Sequence, residues 1–207
     1  LKPEELMTII KSRRSVRKFK PDPVPKNAIE KMIEAASWAP SGSNLQNWHF
    51  IVVESEELKH RMSEALIKKV NALAEKIVSA TAKKEYTAYT NYYTFFVNAP
   101  AVIAVVKKPY NSLALRIMER YGFTDDYVST ADIQGPSAAI QNLLLTAHSL
   151  GYGTCWMTGP MIARKELEEV LGIKSPDELM ALIPVGKPDV VPQAPKRKPV
   201  GEITEYK

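Results

Sequence analysis

Ala39-Pro40-Ser41-Gly42-Ser43-Asn44-Leu45-Gln46-Asn47-Trp48-His49-Phe50 stops a helix and starts a strand within a dozen positions. Before it, Ile29, Met32, Ile33 and Ala36 recur at intervals of three and four. That spacing predicts a helix opening at Pro25 or Lys26 and closing at Trp38-Ala39-Pro40. After it, Trp48 to Val53 is apolar and β-branched and reads as a buried strand. Between them, small residues and amides form a tight loop of the kind that lets backbone approach a ligand closely.

The same alternation continues in both directions. Residues 3–12 read as a short helix running into Arg13-Arg14-Ser15-Val16-Arg17-Lys18-Phe19, after which Pro21, Pro23 and Pro25 enforce extended chain. Residues 55–93 lack Pro and Gly and read as two helices or one broken helix, whose lysines and glutamates suggest a solvated face. Tyr86, Tyr89, Tyr93 and Phe96 fall near one face, and two readings stay open for them: packing into the body, or a lid over a planar substrate.

Ala101 to Val106 is a buried strand, and 111–121 a short helix capped by Gly122. Ile140, Leu143, Leu144, Ala147 and Leu150 mark a central helix that starts at Thr130 or Ser137 and ends at Gly151. Thr154 to Met157 reads as a strand, 163–171 as a surface helix and Met180 to Val185 as a last buried strand. From Pro188 onward the prolines and the lack of periodicity predict an extended arm. Its apolar residues, Val190, Val191, Val200, Ile203 and Tyr206, need another surface to lie on. Helices mixed with separated strands imply an α+β fold, a sheet flanked by helices, in one domain spanning 1–207.

Composition narrows the function classes. The chain has 207 residues and a net charge of +5. No apolar run approaches the ~18 residues of a membrane span. The start of the chain lacks an apolar signal region, so a soluble, cytoplasmic protein is expected, with Leu1 a trimmed start. Cys155 is the only cysteine, which excludes an intrachain disulfide and a cysteine cage for metal; it reads as a small buried hydrophobe. His49, His60 and His148 show no metal spacing, and no catalytic triad stands out. Positive charge is densest at 11–20 and 196–198, near opposite ends of the chain, as though one anionic ligand were gripped from both. A basic phosphate- or nucleic-acid-binding module is the rival from another class, but no nucleic-acid motif supports it.

Taken together, Arg13 to Phe19, Ala39 to Phe50, Gln141-Asn142-Leu143-Leu144-Leu145 followed by Leu150-Gly151-Tyr152-Gly153, and Arg197-Lys198-Pro199 resemble the FMN-dependent nitroreductase superfamily, the NADH oxidase/flavin reductase family. Order and spacing agree over nearly the whole chain; Asn47 stands where the family often has proline. The resemblance implies a homodimer with a mainly antiparallel sheet, two FMN molecules at the interface, and a C-terminal arm (188–207) embracing the partner.

Residue by residue, the resemblance implies that Arg13, Arg14, Ser15 and Arg197 hold the FMN phosphate. Arg17 would lie by the N1–C2=O edge, where a fixed cation favours the reduced ring. Met157, Thr158 and Gly159 would sit near the N5–C4=O edge, and Asn91 by the pyrimidine edge. Pro40, Ser41, Gly42, Ser43, Asn44 and Gln46 would reach the FMN of the other subunit; a plain helix-to-strand turn is the alternative for them. Catalysis would belong to FMN rather than to a protein nucleophile. NADH or NADPH would be the donor, and a nitroaromatic, quinone or similar small molecule the acceptor, in a ping-pong reaction. Reductive dehalogenation, flavin fragmentation and activated-alkene reduction are the alternatives on the same fold. Neither a nucleic-acid nor a membrane partner is expected.

Overall fold

The computed structural model describes residues 2–123 and 129–207, apart from the side chain of Asn91. Among them the α-helices are α1 (Pro3–Ser12), α2 (Lys26–Ser37), α3 (Glu56–Ala74), α4 (Ala80–Thr90), α5 (Leu113–Tyr121), α6 (Ala131–Ser149) and α7 (Arg164–Leu171). The strands β1 (Trp48–Val53), β2 (Ala101–Lys107), β3 (Gly153–Thr154) and β4 (Glu178–Gly186) form one antiparallel sheet in the order β1-β2-β4-β3. The α+β expectation holds.

Alternation along the central strands splits the core into two layers. Ala101, Ile103 and Val105 of β2 face one cluster with Ile183 and Val185 of β4, covered by α2 and α6. Val102 and Ala104 face the other with Leu182, Met62 and Leu66 of α3, and Leu167 of α7. Gly122 and Gly172, at φ of 75° and 70°, end α5 and α7 in the left-handed conformation that glycine adopts without a Cβ clash.

Three expectations need correction. β1 is an edge strand: Val53 is buried, but His49 and Val52 are exposed, because only β2 covers its ladder. The Thr154–Met157 strand is shorter than expected; regular pairing ends at Thr154, and Met157 makes an isolated bridge to Leu182. Lys59 does not lie on a solvated face. It is 1% exposed, and its ammonium donates to Glu56 Oε1 and to the Ala99 carbonyl, both at 2.6 Å. Helical periodicity places Lys59 correctly on α3, but a lysine that ties two elements together looks like any other lysine in sequence.

The C-terminal arm follows its own chain first. Lys20 N–H donates to the Lys187 carbonyl (2.9 Å) and Asp189 N–H to the Lys18 carbonyl (3.0 Å). Farther on, Val200, Ile203 and Tyr206 are exposed. So is an apolar face of α5, comprising Leu113, Ile117 and Tyr121.

Candidate active site

The arginine-rich segment is positioned by β3. Past the end of α1, Val16 N–H donates to the Thr154 carbonyl at 2.9 Å, and Ser15 bridges Thr154. Val16 fits because Gly153 has no side chain; a Cβ there would come within 2.7 Å of Val16. Arg14 Nη1 donates to the carbonyls of Lys11 and Arg13, each at 2.7 Å, which places a cation on the carbonyl end of α1. Arg17 Nη1 donates to the Ser15 carbonyl at 3.2 Å, and the side chain is exposed. The arm then folds back over this segment. Arg13, Arg14, Ser15 and Arg17 meet Pro192, Gln193, Pro195 and Arg197 around a cavity of about 320 Å³. Four guanidinium groups line it and no carboxylate does, among the described residues.

A second opening of about 600 Å³ adjoins it, and Arg17 lines both. One wall is the segment Cys155–Pro160, which includes the predicted Met157, Thr158 and Gly159. Met157 is fixed by reciprocal backbone hydrogen bonds with Leu182 (3.0 and 3.1 Å). The other wall is aromatic: Tyr89, Tyr92, Tyr93 and Phe95. Tyr89 and Tyr93 meet edge to face at 5.5 Å between centroids. Burial, reinforced by Tyr89, pushes the Tyr93 hydroxyl pKa up, so it stays a hydrogen-bond donor at neutral pH. The tyrosine face divides in two. Phe96 is buried in the core and Tyr86 packs against it, while Tyr89 and Tyr93 face the opening.

Cys155 is buried, as expected, and burial raises its thiol pKa although Arg17 pulls it down. His148, at the end of α6, lies 2.7 Å from Ser12 Oγ, so it supports the end of α1 directly before the arginines. Burial first, then Arg13 and Arg14, lower its pKa.

The serine-rich turn lies elsewhere. Gly42–Asn44 form one 3₁₀ turn, with Ser43 and Asn44 both at φ of 52° and Gln46 at 46°. Three non-glycine residues in left-handed backbone cost on the order of 1–2 kcal/mol each, and such strain collects at functional sites. The turn is held from several sides. Ser41 Oγ accepts from Gln46 N–H at 3.0 Å, and a Cβ on Gly42 would strike the Tyr110 ring. Asn47, in the position where resemblance suggested proline, is 3% exposed and donates through Nδ2 to the Lys108 carbonyl at 3.2 Å. Pro40, Ser43, Asn44 and Gln46 remain exposed.

This turn enters β1 at Trp48, which pairs with Lys107 at the far edge of the sheet from β3. None of Pro40, Ser41, Gly42, Ser43, Asn44 or Gln46 lines the arginine cavity or the aromatic opening. Within one chain the predicted residues therefore form two groups at opposite edges. The side chain of Asn91 is outside the described residues. The sequence reading missed Tyr92, Phe95, Pro160, Pro192 and Gln193; their only signal was adjacency to predicted residues or to the tyrosine face.

A model of the nitroreductase family matches residues 10–187. The chain belongs to the nitroreductase family. Membership makes it a nitroreductase-family flavoenzyme. Its relatives span several named activities. It is 32% identical over 94% of its length, and 90% of the relative's, to YfhC of Bacillus subtilis, which carries a provisional NAD(P)H nitroreductase name. It is 25% identical to iodotyrosine deiodinase 1 of Rattus norvegicus, over 98% of this chain and 70% of that one. Among solved structures, a BluB-like flavoprotein from Clostridium difficile 630 superposes with a TM-score of 0.88 at 32% identity, covering 97% of this chain and 98% of that one. An oxidized iodotyrosine deiodinase bound to FMN and 3-iodo-L-tyrosine superposes with a TM-score of 0.72 at 25% identity, covering 98% of each chain.

Proposed function

We propose that this nitroreductase-family chain is an FMN-dependent NAD(P)H oxidoreductase that reduces nitroaromatic, quinone or similar small acceptors. One observation carries the reading: an arginine-lined cavity suited to a phosphate opens, through Arg17, into an aromatic-walled space suited to a flat ring. The donor set fits the cofactor. Arg13, Arg14, Ser15 and Arg197 would hold the phosphate, because planar guanidinium forks match phosphate oxygens. Arg17, Met157, Thr158 and Gly159 would hold the ring. Bound FMN supplies the hydride relay between donor and acceptor.

The chain's own residues do the rest. Arg17, which lines both cavities, would supply a fixed positive charge beside the ring, and such a charge would favour the reduced state. Tyr89, Tyr92, Tyr93 and Phe95 would offer stacking surface to donor and acceptor in turn. A shared open cleft selects by stacking, which supports ping-pong kinetics and broad acceptor tolerance.

We further propose that the active unit is a homodimer. The exposed edge of β1, the bare apolar face of α5 and the unsupported Val200, Ile203 and Tyr206 all call for a covering surface. A second copy provides that surface and can carry its Pro40–Gln46 turn to the cavity that the turn cannot reach within one chain. The iodotyrosine deiodinase relatives favour reductive dehalogenation as the second reading.

The test is direct. The purified protein should be yellow and dimeric, be bleached anaerobically by NADH or NADPH, and regain colour with nitroaromatics or quinones. Reoxidation by halophenols alone would favour dehalogenation. A colourless monomer indifferent to added FMN would refute both readings.

A further inference from the structure

A second cleft, of about 590 Å³, meets the aromatic opening at Thr158, which lines both. It shares no lining residue with the arginine cavity. Its apolar lining, which includes Met161, Ile162, Leu179 and Met180, is pliant. Its charged lining is Lys69, Lys107, Arg164, Lys165 and Glu166.

Most of that charge is already matched. Lys69 meets Glu166 at 2.7 Å, Lys107 meets Asp132 at 2.7 Å, and Arg164 meets Glu178 at 2.5 Å. The hydrogen bond from Lys69 holds the Glu166 carboxyl below its ordinary range, so that pair stays ionised at neutral pH. Lys165 differs: among the described residues it has no carboxylate within 4.0 Å. Lys165 acts on Glu166, which also lines the cleft, only through its charge and not through an ion pair. The cleft thus combines an apolar lining with one cation that makes no ion pair, next to the aromatic opening.

We infer that this cleft binds the side chain of the electron acceptor, and that the preferred acceptors are aryl compounds bearing a monoanionic group on a short apolar chain. The inference rests on the proposed reading that acceptors stack in the aromatic opening. The ring sits there, the chain passes Thr158 onto the methionine and isoleucine lining, and a carboxylate pairs with Lys165. A dianion gains little, because the other cations are already neutralised.

The test uses the holoenzyme and a series of ω-(4-nitrophenyl)alkanoates, their methyl esters, and nitrobenzene. KM for the acids should fall up to about fourfold per methylene as the chain crosses the apolar lining, then level off. The esters should bind at least tenfold more weakly than the acids at the best length. Lys165→Glu should raise KM for the best acid about tenfold or more and leave nitrobenzene turnover unchanged. Lys165→Arg should restore the preference. Calorimetry with the non-reducible 4-phenylbutanoate reads the cleft apart from turnover, and its affinity should drop about tenfold in the Lys165→Glu protein. Equal KM for acids and esters, or equal 4-phenylbutanoate affinity in both proteins, would overturn the inference. Failure to reduce nitrobenzene with either nucleotide would instead count against the reductase reading, and the calorimetric arm would still decide the cleft.

Discussion

The ring of Tyr93 occupies the space that a Cβ on Gly159 would fill. A side chain at position 159 and the present Tyr93 rotamer exclude each other, so glycine here sets the width of the aromatic opening. Its neighbour Tyr89 packs edge to face on the same ring, so a shift of Tyr93 moves both.

Gly159→Ala should therefore alter the opening more than the fold. The expected outcome is a fall of about tenfold in kcat/KM for aromatic acceptors, with a loss of about 1–2 kcal/mol in stability from overpacking. Steady-state kinetics and urea unfolding of the same sample check both. A larger substitution, Gly159→Val, should be worse on each count.

Arg13 and Arg17 should separate binding from redox tuning. Arg13 lines the arginine cavity but not the ring-sized opening, whereas Arg17 lines both. Arg13→Ala should weaken FMN binding by about ten- to a hundredfold, in line with losing a charge-assisted contact of ~1.5–3 kcal/mol. Its midpoint potential should hardly move. Arg17→Ala should lower the potential, since the cation that favours the reduced ring is gone. Titration calorimetry and an anaerobic redox titration discriminate the two; an unchanged potential in the Arg17 variant removes that role.

His148 should make the FMN-free protein less stable on the acid side. Its folded pKa lies below the ordinary histidine value, through burial first and then Arg13 and Arg14. The unfolded chain therefore binds the proton more tightly. Stability is unaffected well above the unfolded pKa of ~6.5 and declines as pH falls through that value toward the folded one. His148→Gln should flatten this part of the pH–stability curve. Bound phosphate offsets the two arginines and should raise the histidine pKa, which NMR titration of the ring can follow.

Lys59 should behave as a buried structural link. Lys59→Ala leaves a cavity and strips the Ala99 carbonyl of its donor, at an expected cost of about 3–5 kcal/mol. Lys59→Met refills the volume and should recover part of that loss. Chemical denaturation measures both.

The order of elements was readable because it depends on local periodicity. The three-and-four spacing of Ile29, Met32 and Ala36, the run Ala101–Val106 and the glycines at 122 and 172 act within a few residues of themselves. The arginines were readable too, because a cluster of charge and hydroxyl is visible without knowing what faces it. Burial of Lys59 and exposure of β1 were not readable, since each depends on which element happens to lie opposite.

Sequence alone marked most of the helices, strands and the arm, and where positive charge is densest, because both are properties of neighbouring residues. Only tertiary structure settled that Arg17 joins the two cavities, that Tyr92 and Phe95 line the opening, and that the Ser41–Gln46 turn stands at the opposite edge of the sheet. Those are distances between residues far apart in the chain. They arise from how the sheet orders its strands and how helices pack on it, which no stretch of local sequence encodes.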